Sequence, residues 1–210
     1  MKKLDNQIFQ DRRKSFLSKL DGKAAIIPGA KLVQHHADCE YPFRQESNFW
    51  YLTGFDEPDA IALFLSHKPI GERYILFVHP KDIESEVWNG FRWGTNGAEK
   101  VFKADKSHPI SDFEKELPNY LMGADEIVFS VGKYPEIEPI VLNLWAKQID
   151  NYSRIGKAPL AIQPPGIYLN QMRLIKSQYE IERMREAALI SAEAHDCLLY
   201  TSDAADEVVS

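Results

Sequence analysis

Residues 38–59 read Asp-Cys-Glu-Tyr-Pro-Phe-Arg-Gln-Glu-Ser-Asn-Phe-Trp-Tyr-Leu-Thr-Gly-Phe-Asp-Glu-Pro-Asp, and no other stretch is as informative about the fold. Aromatic side chains alternate irregularly here with carboxylates and one arginine, Arg44. A half-buried strand alternates apolar and polar residues, and a solvated loop needs few rings, so neither pattern explains the whole stretch. We expect the aromatic run 49–55 to serve the core and an interface rather than a pocket.

The bulk composition is that of an ordinary soluble globular protein. The chain has 210 residues, which suits one domain plus the beginning of another. A net charge of −6 without a basic stripe argues against nucleic-acid binding, and the cluster Arg12-Arg13-Lys14 is interpreted as solvated. No apolar run is long enough for a membrane span and no signal peptide is visible, so we expect a cytoplasmic protein. Two cysteines, Cys39 and Cys197, make no disulfide framework.

Short apolar segments predict the strands of a sheet. They lie at 24–27, 48–52, 60–65, 74–78 and 126–130. The third and fourth are separated by turn residues and are predicted to form a hairpin. Because strands and helices do not alternate strictly, the fold class predicted is α/β, with a mixed β-sheet flanked by helices.

Helical periodicity appears in three segments of the same region: 7–20, 111–121 and 139–147. Ser111 and Glu114 have the spacing of a capping box, and Pro118 is expected to kink or shorten that helix. Beyond the linker candidate at 163–166, Ser177 and Glu180 predict a second capping box that opens a helix reaching about residue 195. The inner face of that helix is predicted to carry Ile181, Met184, Ala188 and Ser191.

The motifs Tyr-Pro-Phe-Arg-Gln at 41–45 and Phe-Trp-Tyr-Leu-Thr-Gly-Phe at 49–55 resemble the signature of the aminopeptidase P (Xaa-Pro aminopeptidase) N-terminal domain. The run 172–177 and the helix after it resemble the entry to the "pita-bread" domain of aminopeptidase P and prolidase. The resemblance implies a creatinase/prolidase N-terminal domain, ribonuclease H-like in fold, over residues 1–163. Residues 164–195 are then the linker and first helix of a truncated pita-bread domain.

Residues 197–207 read Cys-Leu-Leu-Tyr-Thr-Ser-Asp-Ala-Ala-Asp-Glu, which resembles the in-frame translation of a transposon-based sequencing adapter. We therefore expect residues 196–210 to be a non-native tail. The alternative is a natural acidic tail after a helix. Within residues 197–207, Asp203, Asp206 and Glu207 account for three of the six net negative charges, so the acidity of the chain comes partly from this stretch.

The resemblance implies a metallopeptidase that releases the N-terminal residue from peptides with proline in second place. It implies two divalent metal ions, Mn²⁺, in the full-length enzyme, and proline-containing peptides as substrates. The family's metal ligands lie downstream of the last helix, so no catalytic or metal-binding residue is predicted here, no cofactor is expected in this fragment, and the fragment should be inactive. A homo-oligomer, dimer or tetramer, is expected through the N-terminal domain, with no nucleic-acid or membrane partner.

Three residues match family positions around the substrate cleft: Trp88, Asp38 and Arg154. Trp88 belongs to an Asp-x-x-x-Glu-x-Trp-x-Gly-x-Arg pattern that, in the family, brings a tryptophan of a neighbouring subunit to the cleft. By the same resemblance, Asp38 orients an arginine of the missing domain and Arg154 lies near the far end of the substrate. The structural alternatives are a Trp88 packed in its own subunit, a capping aspartate and a solvated arginine.

Two other functions remain open at this point. A non-enzymatic binding module can use a pita-bread scaffold without metal ligands, and a prolidase or creatinase relative shares the architecture but not the substrate. The motifs at 41–45 and 49–55 favour aminopeptidase P over both.

Overall fold

The structure is a computed structural model that describes residues 6–82, 84, 86–87 and 90–206, with only the backbone described for 155 and 201–206. The chain divides into two compact units, Met1–Leu169 and Asn170–Ser210. The boundary predicted from sequence follows Gln163. Among the described residues, no helix combines the length and the apolar character needed to cross a membrane.

The first unit is built on a six-stranded mixed sheet. Its strands are β1 (Ala24–Pro28), β4 (Ile61–Leu65), β5 (Tyr74–Val78), β6 (Lys106–Pro109), β7 (Ile127–Val128) and β8 (Ile162–Gln163). They lie in the order β6-β5-β4-β1-β7-β8. β4 is antiparallel to both β1 and β5, whereas the pairs β5–β6, β1–β7 and β7–β8 are parallel. The predicted α/β class with a mixed sheet is confirmed, as is the hairpin of β4 and β5.

Helices of the first unit lie on both faces of this sheet, with α1 on one face and α4 on the other. The helices of the chain are α1 (Asn6–Leu20), α2 (Ser47–Thr53), α3 (Gly94–Lys100), α4 (Phe113–Leu121), α5 (Glu138–Asp150), α6 (Tyr152–Ile155), α7 (Gly166–Leu174) and α8 (Gln178–Asp206). A separate two-stranded hairpin, β2 (Gln34–His36) and β3 (Cys39–Glu40), is inserted between β1 and α2.

The core lies on both sides of the sheet because strand residues point alternately to its two faces. One face packs Ile26, Leu63 and Phe77 against Phe113 and Leu117 of α4. On the other face, the Phe16 ring of α1 meets the Phe64 ring edge-on, with centroids 5.3 Å apart. The sheet strands β1, β4 and β5 are buried along their whole length, which explains why their sequences read as short continuous apolar runs.

The prediction of a strand at 48–52 is wrong, because this segment forms α2. The Glu46 carboxylate accepts hydrogen bonds from the backbone N–H groups of Asn48 and Phe49, at 2.7 and 2.9 Å, and caps the helix. Gly54 ends it in the left-handed conformation. A cap on each side outweighs the β propensity of the aromatic residues between them.

The predicted capping box at Ser111 is also absent from the described structure. A 3₁₀ turn at Ile110–Asp112 leads into α4, and the cap position falls on Asp112, without a side-chain hydrogen bond. Pro118 lies inside α4, and the helix ends three residues later at Leu121. Its short length agrees with the expected effect of the proline.

The second unit contains α8, which begins with the predicted capping box. The Ser177 backbone N–H donates to the Glu180 carboxylate at 2.8 Å, and Glu180 N–H donates to the Ser177 hydroxyl at 3.3 Å. The helix continues to Asp206, beyond the expected start of the non-native tail. On the face predicted to point inward, the Met184 side chain is 59% exposed.

Arg13 is buried, which contradicts the interpretation of the basic cluster as solvated. Its guanidinium donates to the carbonyl oxygens of Leu52 and Phe102, at 3.0 and 3.2 Å, and lies 4.3 Å from the centre of the Tyr74 ring. Burial lowers the pKa of Arg13, and the nearby Tyr74 and Asp105 oppose this shift. One side chain thereby joins α1, the end of α2 and the segment after α3, through a planar fork that lysine cannot reproduce.

We therefore expect Arg13→Lys to lower the free energy of unfolding by about 1–3 kcal/mol, since one ammonium cannot satisfy two carbonyls and stack on a ring. Urea unfolding followed by circular dichroism measures the loss. Arg12→Lys, at the neighbouring half-exposed position, is the matched control and should cost clearly less. Equal losses in the two variants would contradict the bridging role of Arg13.

Gln45 uses the full hydrogen-bonding capacity of its amide to close the segment between β1 and β4. Its Oε1 accepts from the backbone N–H groups of Ala30, at 2.6 Å, and Glu46, at 2.9 Å. Its Nε2 donates to the carbonyls of Phe55, at 3.1 Å, and Glu57, at 2.8 Å. A glutamate could accept the first pair of bonds but could not donate the second pair.

Gln45→Ala should cost about 2–4 kcal/mol, because four backbone groups lose a partner inside the fold. Gln45→Glu should also destabilise, since the carboxylate would face two carbonyl oxygens. Urea unfolding provides the measurement, with Gln10→Ala in α1 as a glutamine control that should stay within about 0.5 kcal/mol of the wild type. A fully stable Gln45→Glu variant would refute this account.

His67 joins the turn after β4 to α4 through its ring. Its Nε2 lies 3.0 Å from the Tyr120 carbonyl oxygen, so this nitrogen carries the proton in the neutral ring. Its Nδ1 is buried and has no hydrogen-bond partner in the described part of the chain. Burial lowers the pKa of His67, and the charges of Lys68 and Lys157 act in the same direction.

Since the unfolded chain takes up this proton at a higher pH than the native protein, the unfolded state binds more protons as the pH falls. We expect the free energy of unfolding to decrease as the pH is lowered through about 6.5, the unperturbed pKa of histidine. His67→Gln keeps a donor toward Tyr120 and should show a smaller pH slope. His36→Gln, on an exposed strand, should retain the wild-type slope; equal slopes in all three proteins would exclude His67 as the source.

Candidate functional site

Most of the polar loops leave the sheet at one edge. Five strands, β1, β5, β6, β7 and β8, run in one direction, and β4 runs in the other. The carboxyl ends of the five strands therefore lie on one side of the sheet, here called the carboxyl edge, and their amino ends lie on the opposite side, the amino edge. In open α/β sheets, ligand sites form outside the carboxyl ends of the strands. The β2–β3 hairpin follows β1 and the segment 79–94 follows β5, so two of the three predicted site residues belong to loops that start at this edge.

Asp38 lies in the turn of the β2–β3 hairpin and is exposed. The preceding Ala37 has a φ of +47°, which makes the turn tight. The Cys39 sulfur lies 3.9 Å from the Asp38 carboxylate, and Tyr41 closes the base of the hairpin by donating its N–H to Val33 at 2.9 Å. The hairpin thus presents a carboxylate to solvent from a short, ordered projection, an arrangement suited to pairing with a cation of another element.

Trp88 lies outside the described residues, but the residues of its pattern around it are described. Glu86 N–H donates to the Asp82 carbonyl at 2.9 Å, and Gly90 N–H donates to the Glu86 carbonyl at 3.0 Å. The Glu86 carboxylate accepts the Arg92 N–H at 3.0 Å. The acidic and glycine residues of the pattern therefore shape the backbone of the segment, while Phe91 and Trp93 pair edge-on with centroids 5.0 Å apart.

Glu57 anchors the end of this segment, a role that the sequence reasoning missed. Its Oε1 accepts the Trp93 N–H at 2.6 Å, and its side chain is only 6% exposed. Its Oε2 is buried and lacks a hydrogen-bond partner among the described residues. Burial raises the pKa of Glu57, while the Trp93 hydrogen bond and the Arg92 charge oppose this shift. The available signal was the acidic group Asp56-Glu57-Pro58-Asp59 directly before the buried strand β4.

Arg154 lies elsewhere in the first unit. It is exposed in α6, which ends at Gly156 with a φ of +74°. Helix α5 starts beside the carboxyl edge and runs back along the sheet, and Lys157 after α6 pairs with Asp125, which precedes β7. The topology therefore places Arg154 toward the amino edge, and no hydrogen bond or ion pair of the described structure joins it to Asp38.

A metal site needs several ligand side chains that converge on one point. Within the described residues, no group of three or more histidine, cysteine, aspartate or glutamate side chains is arranged to hold an ion. The two cysteines are exposed, lie on different elements and form no disulfide with each other. The described residues therefore do not fit a dinuclear metal centre.

The chain was compared with known proteins. The family model described as aminopeptidase P, N-terminal domain, matches residues 9–129. The Xaa-Pro aminopeptidase of Escherichia coli K12 is 33% identical over 196 residues, covering 93% of this chain and 44% of that protein. That of Haemophilus influenzae is 34% identical over 203 residues, covering 96% and 44%.

Solved structures give the same result. The structure of the Pseudomonas aeruginosa aminopeptidase PepP superposes with a TM-score of 0.85 at 32% identity, covering 93% of this chain and 44% of that chain. The chain thus spans less than half the length of these relatives. Because the family model matches more than half of its residues, the chain belongs to the aminopeptidase P N-terminal domain family.

Proposed function

We propose that this chain is the N-terminal part of a metal-dependent Xaa-Pro aminopeptidase, in which its first unit shapes the substrate cleft and the subunit contacts. The observation that carries the proposal lies in the residues after Trp88, where the Glu86 and Glu57 carboxylates accept the backbone N–H groups of Arg92 and Trp93. Two divalent ions, Mn²⁺, belong to the proposal for the complete enzyme.

The substrate class explains why an aromatic side chain is useful in such a cleft. An Xaa-Pro bond is a tertiary amide without an N–H, and the proline ring fixes φ. A peptidase therefore cannot recognise this residue by its backbone donor and must use the ring itself. Covering it with the Trp88 indole would contribute roughly 1.5–3 kcal/mol by apolar burial.

Two carboxylates fix the backbone on the C-terminal side of Trp88. The Glu86 carboxylate accepts the Arg92 N–H, and the buried Glu57 carboxylate accepts the Trp93 N–H. Hydrogen bonds to ionised acceptors are stronger than neutral ones, which favours one backbone conformation. In the same proposal, the exposed Asp38 orients an arginine of the remaining enzyme.

The position of Arg154 supports assembly into a homo-oligomer. Asp38 and Trp88 belong to loops of the carboxyl edge, whereas Arg154 lies toward the amino edge of the same sheet. One copy of this unit cannot readily bring both edges to a single cleft. If Arg154 meets the far end of the substrate, we infer that another copy supplies it.

We expect the enzyme expressed from the complete gene to hydrolyse Xaa-Pro-Yaa tripeptides but not Xaa-Pro dipeptides. Trp88→Ala should lower kcat/KM for the tripeptide about 10- to 100-fold, the kinetic equivalent of the lost apolar burial. Trp88→Phe should recover most of the activity, because it retains a ring. Steady-state kinetics measures both effects, and unchanged thermal stability separates them from misfolding.

Trp145→Phe is the matched control, because Trp145 lies in α5 and donates to Pro159 within the fold. It should lower stability while leaving kcat/KM almost unchanged. Full activity of Trp88→Ala would contradict the role of this segment in the cleft. Hydrolysis of dipeptides would favour a prolidase relative, and a complete protein without peptidase activity would favour a binding module.

A further inference from the structure

A pocket of about 270 Å³ opens at the carboxyl edge, between the ends of β1 and β4, the 3₁₀ turn before α4 and the start of α5. Five apolar side chains form its floor: Ile61, Ile110, Phe113, Ile137 and Ile140. Ile61 and Phe113 belong to the buried core, whereas the other three are half-buried and pack against it. Since ligand pockets for drug-sized molecules usually exceed about 300 Å³, this pocket suits a smaller ligand.

The rim of the pocket carries an excess of negative charge. It contains Lys31 and the carboxylates of Asp59, Glu114 and Glu136. One lysine against three carboxylates leaves a rim charge of −2. Lys31 forms an ion pair with Glu136, and its ammonium lies 4.0 Å from Asp59 Oδ1. Glu114 is exposed and has no ion pair within the described residues.

Asp59 is held in place by the backbone around it. Its φ is +56°, in the left-handed region, and its N–H donates to the Ala30 carbonyl at 3.0 Å. The Gly29 N–H donates to the Ala60 carbonyl at 2.7 Å, so two backbone hydrogen bonds join residues 29–30 to residues 59–60. The second carboxylate oxygen of Asp59 lies 3.5 Å from His79 Nε2. A residue kept in a sparsely populated conformation by its surroundings presents its carboxylate in one direction, between Lys31 and His79.

We propose that this pocket binds a small molecule that joins a primary ammonium group to a branched or aromatic apolar group. The ammonium takes the place of Lys31 between Asp59 and Glu136, and the apolar group lies on the isoleucine floor. An anion would face three carboxylates, and a neutral hydrocarbon would leave the rim unused, so charge complementarity selects the cation. The proposal is independent of the proposed peptidase function.

The test uses this chain and 3-methylbutylamine as the probe, followed by ¹H–¹⁵N NMR. The amide signals of Gly29, Ile61 and Ile137 should shift and saturate, with a dissociation constant on the order of 1 mM for so small a ligand. 3-Methylbutanol and 4-methylpentanoate carry the same branched group with no charge and with a negative charge. They should bind more weakly, in that order, and added salt should weaken the amine alone.

Substitutions of the acidic and basic residues at the rim should change amine binding in opposite directions. Asp59→Asn, which keeps a residue tolerant of positive φ, and Glu136→Gln should each weaken amine binding about two- to fivefold. Lys31→Met should instead strengthen it by a similar factor, because the competing internal cation is removed. Glu116→Gln, on the same helix as Glu114 but outside the pocket lining, is the control and should bind like the wild type.

Several outcomes would overturn the proposal. These are equal binding of amine and alcohol, tighter binding of the acid than of the amine, or weaker amine binding by Lys31→Met. Because Lys31 is exposed, its substitution should not destabilise the protein. The same signal shifts on raising protein concentration without amine would assign the pocket to a second copy of the chain. Leucinamide and leucine distinguish a simple amine or peptide N-terminus from a free amino acid as the ligand. Both carry the ammonium and the branched group, but only leucine also carries a carboxylate, which the acidic rim should repel.

Discussion

The amide of Gln45 is the interaction on which the carboxyl edge depends. The segment between β1 and β4 must leave the sheet, form a hairpin and a short helix, and return to the neighbouring strand. Its backbone polar groups cannot all pair with the sheet, and buried groups without partners are costly. Gln45 satisfies four of them where the segment leaves β1 and returns to β4. The next residue, Glu46, caps α2 with its carboxylate.

From Gln45, hydrogen bonds reach the residues that follow Trp88. The Glu57 carbonyl accepts a hydrogen bond from the Gln45 amide, and the buried Glu57 carboxylate accepts the Trp93 N–H. Gln45 in the signature stretch and Trp93, distant in sequence, are thus connected through Glu57. Hydrogen bonds between residues far apart in the sequence therefore connect the two motifs.

The sequence reasoning succeeded where a local pattern has a single structural solution. Continuous apolar runs predicted β1, β4 and β5, and the spacing of Ser177 and Glu180 predicted the start of α8. It failed where two local patterns compete. The aromatic residues of α2 have strand propensity, and the caps at both ends favour the helix instead. Arginine is usually a surface residue, and Arg13 is buried because other elements of the fold pack around it.

The sequence alone determined the α/β class and the family, because long motifs and apolar runs are properties of neighbouring residues. It also located Asp38, Trp88 and Arg154 as candidates by resemblance, without their arrangement. Only the tertiary structure decided that the loops of the first two leave one edge of the sheet, that Arg154 lies toward the other, and that Gln45 and Glu57 connect the parts. These facts depend on strand order and on hydrogen bonds between distant residues, which no local pattern encodes.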